Sequence, residues 1–568
     1  MLYFIRKKCR EDAKMLYPQL NKYRDLYNLN GIWNFKTVSD DYVPAEKAEG
    51  TSLMAVPASY NDIVTSKEIK DYVGKVLYET EFSLPIREGK KYHLRIGDAS
   101  HKCDVYLNGK LVAHGINGYL PIDTELCDLK EINRLSVVID NRLTFQTLPV
   151  GRIVNGKQII NHDFYNFTGI HRDVLVYSTP EKYIHDIEIK TVVGGDYSVV
   201  SVITDAENAL FTVTDKEGKA VAKGRETTFR IEDPILWDTE NPYLYTLTVE
   251  TECDKYSEKF GIRKIEATKD QILLNGKPLY LKGFGMHEDF FVLGKGNSPA
   301  VNIRDFELLK WIGANSIRTS HYPYSEEIMS LADQYGIMVI DEVPAVGMGW
   351  WNDTFTEDRV NDTTKELHKD LLTQLVARDK NHPCVIMYSV ANEAATHEER
   401  SRAYFADVAA HTRTLTDLPI TIIEFTKAND CRVGDLVDII GINRYYAWYE
   451  EHGDLSTIQD KMITELGRWR DKYGKPVFVA EFGADTIEGF HSLPSESFSE
   501  EFQMEHLSEN CKAFDMCEGV IGEHVWNFAD FKTKQGLTRI RGNRKGVFTK
   551  ERQPKLAAHF LRERWAKK

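Results

Sequence analysis

Two β-sandwiches followed by a closed (β/α)8 barrel, a multidomain α/β plus all-β architecture, is the fold class that this sequence predicts. Three observations carry the expectation. The hydrophobic pattern changes near Asp270, from alternating strands to apolar runs of about five residues separated by amphipathic helical stretches. Eight such runs follow in the C-terminal half, the count needed to close a parallel barrel. Seven of them end in polar residues, on the side where a barrel carries its active site. A chain of 568 residues also exceeds what one hydrophobic core supports. The predicted boundaries are a loose extension at 1–14, a sandwich at 15–180, a second sandwich at 181–268 and the barrel at 269–568.

In the N-terminal extension, Leu2 to Ile5 precede Arg6, Lys7 and Lys8, the reverse of a secretory signal, and Met15 is a candidate start. From Tyr17 to Pro180, strand follows strand, with Asn30-Gly31, Asn108-Gly109 and Asn117-Gly118 as hairpin or tight-turn signals. His93 to Gly97 and Cys103 to Leu107 alternate as half-buried strands do, whereas Leu135 to Ile139 is more continuously apolar. The stretch from Glu181 to Thr268 alternates through Asp186 to Lys190 and Tyr245 to Val249, and its length suits an immunoglobulin-like sandwich.

The barrel strands are expected at Leu279–Gly283, Ser316–Thr319, Met338–Asp341, Val385–Val390, Ile420–Ile423, Ile439–Ile442, Val477–Ala480 and Val520–Val525. Helices are expected at Asn302–Trp311, Ser325–Tyr335 and Thr363–Asp379. The polar ends are His287, Arg318 with His321, Asp341 with Glu342, Asn392 with Glu393, Asn443 with Tyr445, Glu481, and Trp526.

Composition narrows the function classes. With 72 basic against 86 acidic residues the net charge is -14, which argues against nucleic acid or an anionic membrane as partner. No apolar run approaches the roughly 20 residues of a membrane span. Eight cysteines are scattered without a Cys-x-x-Cys pair or metal-ligand spacing, as expected of reduced thiols in a cytoplasmic protein.

Glu393 and Glu481 end the fourth and seventh strands, which face each other across a barrel mouth. Two carboxyls about 5 Å apart are what retaining glycoside hydrolysis requires, one protonated as general acid and one ionised as nucleophile. Asn392, beside the acid, is placed to donate to a sugar 2-hydroxyl. Tyr445 is placed to orient the nucleophile.

Val390-Ala-Asn-Glu393, Asn443-Arg-Tyr-Tyr446, Ala480-Glu-Phe-Gly483, Arg318 to Pro323 and Asn166 to Arg172 together resemble glycoside hydrolase family 2, and within it the members acting on β-glucuronides. The resemblance runs from about Tyr17 to the C-terminus. It implies a sugar-binding-like jelly roll, an immunoglobulin-like sandwich and a TIM barrel, with Glu393 as acid/base and Glu481 as nucleophile. Phe531 to Lys550 carries Lys532, Lys534, Arg539, Arg541, Arg544, Lys545 and Lys550 with no acidic residue. Within it, Asn543-Arg544-Lys545 resembles the Asn-x-Lys motif that binds the C6 carboxylate of glucuronate, with Tyr449 as a further donor. By the same resemblance Asp163, His321, Trp526 and Arg539 line the sugar pocket. No cofactor and no metal is implied. The expected partner is a small-molecule or oligosaccharide β-glucuronide, and the resemblance implies a homo-oligomer, dimer or tetramer.

Two positions depart from the family pattern. Ala394 stands where proline usually follows the acid/base. The loop from Val346 to Glu366 is shorter than in relatives that process small glucuronides, and its Trp350 and Trp351 either stack on an aglycone or cap the barrel. Two alternatives stay open: a β-galactosidase or β-galacturonidase of the same family, and a non-catalytic carbohydrate-binding protein.

Overall fold

Residues 16–349 and 351–568 are described by the computed structural model, so the expected extension at 1–14 and Trp350 lie outside it. The first sandwich packs a six-stranded antiparallel sheet against a four-stranded one. Trp33, Tyr78, Val105 and Val137 from the larger sheet meet Leu94, Ile96 and Val176 from the smaller in one core. Of the three Asn-Gly turns, only Asn108-Gly109 closes a hairpin, between Lys102–Leu107 and Lys110–Gly115. Both residues take the left-handed backbone such a turn requires. Asn30-Gly31 and Asn117-Gly118 instead carry the chain from one sheet to the other.

A second difference concerns Lys90–Ile96, whose alternating sequence predicted a half-buried strand. His93, Leu94, Arg95 and Ile96 are all buried. The outward Arg95 reaches into the barrel domain, where Glu326 takes its guanidinium at 2.7 Å. Alternation therefore reports polarity here, whereas burial is set by the neighbouring domain.

The second sandwich pairs a three-stranded and a four-stranded sheet, seven strands in all. Tyr245–Glu250 alternates inward and outward as its sequence predicts. This domain docks below the barrel, through Lys380 on Asp186 at 2.6 Å and Asn381 on the Ile189 amide at 2.9 Å. Those barrel residues precede the fourth strand, so the contact lies on the face opposite the strand ends that carry the predicted site.

The barrel closes with eight parallel strands, the first pairing with the last from Leu281↔Gly522 to Phe284↔Val525. Leu279 belongs to a small antiparallel sheet just before the barrel, and the first barrel strand is Leu281–Gly285. Helix ends follow local chemistry. Pro299–Ile312 opens on proline and stops at left-handed Gly313. Ser325 caps Glu326–Tyr335, and Asn361 with Thr364 forms a capping box for Asp362–Asp379. The jelly-roll domain meets the barrel through buried ion pairs, Arg172 with Glu288 at 3.1 Å and Lys295 with Asp98 at 3.2 Å. Among the described residues no helix is long and apolar enough to cross a membrane.

Candidate active site

The fourth barrel strand, Val385–Asn392, is buried along its whole length and delivers Glu393 to the mouth. There the backbone turns left-handed, with φ of 50° at Glu393, and its amide donates to Ile423 O at 2.8 Å. Gly349 packs on this turn so closely that a Cβ there would stand 1.9 Å from Glu393 O, which only glycine avoids. Asn443 Nδ2 donates to Glu393 Oε1 at 2.9 Å and to Asn392 Oδ1 at 3.3 Å. Burial pushes the Glu393 carboxyl up to about 7, and the Glu481 charge adds to the rise, against the Asn443 hydrogen bond.

Glu481 ends the seventh strand, Val477–Glu481, under different constraints. Arg318 NH2 donates to its Oε1, and Tyr445 OH donates to Oε2 at 2.6 Å. Burial raises this carboxyl too, but Arg318 and Tyr445 both favour its charged form. Arg318 is itself held by Glu342, both of whose oxygens accept from NH1 at 2.9 Å. Burial works against Glu342, yet Arg318 and His321 keep its carboxyl below its usual range. Asn392 Oδ1 also accepts from Arg318 NH1, at 3.4 Å, so its amide nitrogen is the group left to present to a ligand.

One wall of the pocket comes from the jelly-roll domain. Phe164 inserts against His321 and His287, with ring centroids 5.9 Å and 5.2 Å away. Trp526 stacks on His321 at 5.2 Å. This plug brings Asp163 over the barrel, where its carboxylate accepts from Arg539 Nε at 2.9 Å and Asn543 Nδ2 at 2.8 Å.

The cationic corner lies beside it. Lys545 is 0% and Asn543 1% exposed, so the Asn-x-Lys turn faces inward. Gly542 makes the turn possible, since a Cβ there would meet Phe531 O at 2.2 Å. The Lys545 ammonium pairs with Asp485 and donates to Tyr449 OH at 3.0 Å. Arg539 NH2 donates to the same phenol oxygen at 2.6 Å. Tyr449 thus keeps its own proton to donate, and its ring is 53% exposed at the mouth. The Tyr445 and Tyr449 rings, 5.1 Å apart, join this corner to the carboxyl pair. The eleven residues given roles from the sequence are thus linked through these contacts at the barrel mouth. Most of the basic segment serves other contacts: Lys532 pairs with Asp62, Lys550 with Asp289, and Arg544 with Asp530.

Four participants were not given roles from sequence, among them Asn443, known there only as a strand end. Arg318 and Glu342 were visible as strand-end residues, but their joint clamp on Glu481 needs coordinates. Asp485, four residues past Glu481, counterbalances Lys545 and carries no sequence signal beyond its acidity. The fifth strand, whose end seemed apolar, runs Ile420–Glu424 and ends in a buried glutamate after all.

Known proteins resemble this chain along its length. "Glycosyl hydrolases family 2, sugar binding domain" matches residues 26–180, "Glycosyl hydrolases family 2" residues 178–263, and "Glycosyl hydrolases family 2, TIM barrel domain" residues 265–568. The chain is 43% identical to a β-glucuronidase of Paenibacillus borealis, over 97% of this chain and 98% of that one. It is 38% identical to the β-glucuronidase of Homo sapiens, over 97% and 92% respectively. Among solved structures, an uncultured Clostridium sp. β-glucuronidase aligns with a TM-score of 0.95 at 45% identity, covering 98% of this chain and 100% of that one. Ruminococcus gnavus β-glucuronidase in complex with uronic isofagomine aligns at 0.92 and 36% identity, covering 97% and 98%. Matched from the first sandwich through the barrel, and along nearly the full length of these relatives, the chain belongs to glycoside hydrolase family 2.

Proposed function

We propose that the chain is a retaining β-glucuronidase in which Glu393 is the acid/base and Glu481 the nucleophile. The observation that carries the assignment is the unequal setting of two neighbouring carboxyls, Glu481 buried and Glu393 half-buried. Glu393 sits beside a neutral amide and is pushed up to about 7, whereas Glu481 is clamped by Arg318 and Tyr445. In the first step the Glu481 carboxylate attacks the anomeric carbon as the bond to the leaving oxygen breaks. That oxygen takes the Glu393 proton. In the second step Glu393, now ionised, removes a proton from water, which attacks the anomeric carbon and releases Glu481.

Asn392 offers its amide to the sugar 2-hydroxyl, and Asp163 with Arg539 takes further hydroxyls. His321 and Trp526 wall the ring. Lys545, Asn543 and Tyr449 hold the C6 carboxylate, the contact that separates a glucuronide from a neutral sugar. An ammonium buried beside Asp485 is already desolvated, so an incoming carboxylate meets it at little further cost. The decisive assay is a panel of nitrophenyl glycosides with matched aglycones. Turnover of the β-glucuronide well above the β-glucoside, β-galactoside and β-galacturonide supports the reading, and equal turnover rejects it. Glu481→Ala should abolish turnover while leaving sugar binding, which a non-catalytic carbohydrate binder would not distinguish. A cytoplasmic location and a homo-oligomeric state complete the proposal, and light scattering of the purified protein tests the latter.

A further inference from the structure

Glu424 closes the fifth barrel strand and is fully buried, yet the reaction above does not use it. Its Oε2 accepts from Thr396 Oγ1 at 2.6 Å, and Cys431 Sγ lies 3.5 Å from its Oε1. Thr396 stands three residues beyond Glu393. Between them, Ala394 and Ala395 supply no polar side chain, and the Ala395 amide donates to Met348 O at 3.0 Å.

A glutamate at φ of 50° is in a conformation that most side chains leave unless their surroundings hold them. The fifth strand holds it from both sides. Ile423 O takes the Glu393 amide, and the next residue, Glu424, takes the hydroxyl on which the following turn ends. Behind the carboxyl, Arg444 donates to Glu424 O at 3.0 Å and Thr426 O at 2.8 Å. Arg444 adjoins Asn443, which donates to Glu393 itself. Burial pushes the Glu424 carboxyl up to about 7.

We propose that Glu424, acting through Thr396, is a positioning residue that keeps the Glu393 carboxyl in reach of the leaving-group oxygen. The proposal rests on Glu393 being the general acid. A loosened acid costs most where the leaving group cannot depart without a proton, so the signature is in the substrate series.

The test compares Thr396→Val, Thr396→Ser and Glu393→Gln on β-glucuronides whose leaving groups run from nitrophenol to an alkyl alcohol. We expect Thr396→Val to lose roughly tenfold or more in kcat on the alkyl glucuronide and about threefold or less on the nitrophenyl one, with KM unchanged. Thr396→Ser, which keeps the hydroxyl, restores the slow substrate. Should the valine variant not fold, Thr396→Ala carries the same comparison. Equal losses on both substrates, or a loss confined to KM, overturn the clamp. Glu393→Gln separates the two readings. If it shows no leaving-group dependence, the acid assignment fails. If it does and Thr396→Val does not, only the clamp fails.

Discussion

Asp163 of the jelly-roll domain accepts hydrogen bonds from both Arg539 and Asn543 of the loop after the eighth barrel strand. The corner proposed to bind the sugar is thus shared between two domains, and Asp163 is 376 residues distant from Arg539 in sequence. Removing Asp163 frees both partners and deletes an acceptor for the sugar. Asp163→Ala should lower kcat/KM on a nitrophenyl β-glucuronide by roughly 10- to 100-fold, the range of one or two hydrogen bonds to a charged group. Steady-state kinetics, with the melting temperature as a control, decides it.

Lys545→Met keeps the side-chain volume and removes the charge. The variant leaves Asp485 facing the substrate carboxylate without compensation, so repulsion adds to the lost ion pair. Activity on the β-glucuronide should fall by about 100- to 1000-fold, while any residual β-glucosidase activity changes by about threefold or less. Parallel assays of the two nitrophenyl glycosides read the ratio. Equal losses would place Lys545 outside carboxylate recognition.

The raised Glu393 carboxyl fixes the alkaline side of the pH profile. It must carry a proton for the first step, so kcat/KM should fall as pH rises through about 7. On the acid side the profile follows Glu481, which must be ionised. Glu393→Gln should flatten the alkaline limb on a nitrophenyl substrate.

The same shift links to stability. A carboxyl whose folded value lies above its unfolded one binds more protons in the native state, so it favours folding at low pH and loses that contribution as pH rises. Glu393→Gln should therefore be more stable than the parent at pH 8, by on the order of 1–3 kcal/mol, allowing for the partly exposed edge of this side chain. The gap should close near pH 4. Calorimetry across that range tests both ends.

His382 carries the opposite group. Its Nδ1 meets Asp333 Oδ2 at 2.5 Å, under the barrel, while the other Asp333 oxygen accepts from the Cys384 amide at 2.9 Å. Burial opposes the imidazolium, but Asp333 outweighs it and raises the group to about 9. The folded value lies above the unfolded one, so this stabilisation is complete below about pH 6.5 and is lost as pH passes 9. His382→Gln should lower the melting temperature at pH 6 by several degrees and leave it close to the parent's at pH 10.

Much of the barrel was legible because each strand is a short apolar run with an abrupt polar end, a pattern set by burial on both faces. The two glutamates proposed as acid/base and nucleophile were legible for the same reason, as carboxylates placed where such runs stop. The network that sets their protonation was not. Arg318 serves Glu342, Asn392 and Glu481 together, and nothing in its sequence neighbours announces three distant partners. Glu424 escaped notice because Ile420 to Ile423 already looked like a complete strand. The Lys90–Ile96 strand misled in the other direction, since a half-polar pattern says nothing about a second domain settling on its polar side.

The junction between jelly roll and barrel is stitched by charges shut away from water: Arg95 with Glu326, Arg172 with Glu288, and Lys295 with Asp98. Such pairs add little net adhesion, because drying the ions offsets their attraction. What they contribute is intolerance of misalignment. A slide of an ångström or two would strand an ion in a low-dielectric seam, so the two bodies mate in a single pose. The aspartate reaching over the barrel therefore arrives with the accuracy of a keyed joint.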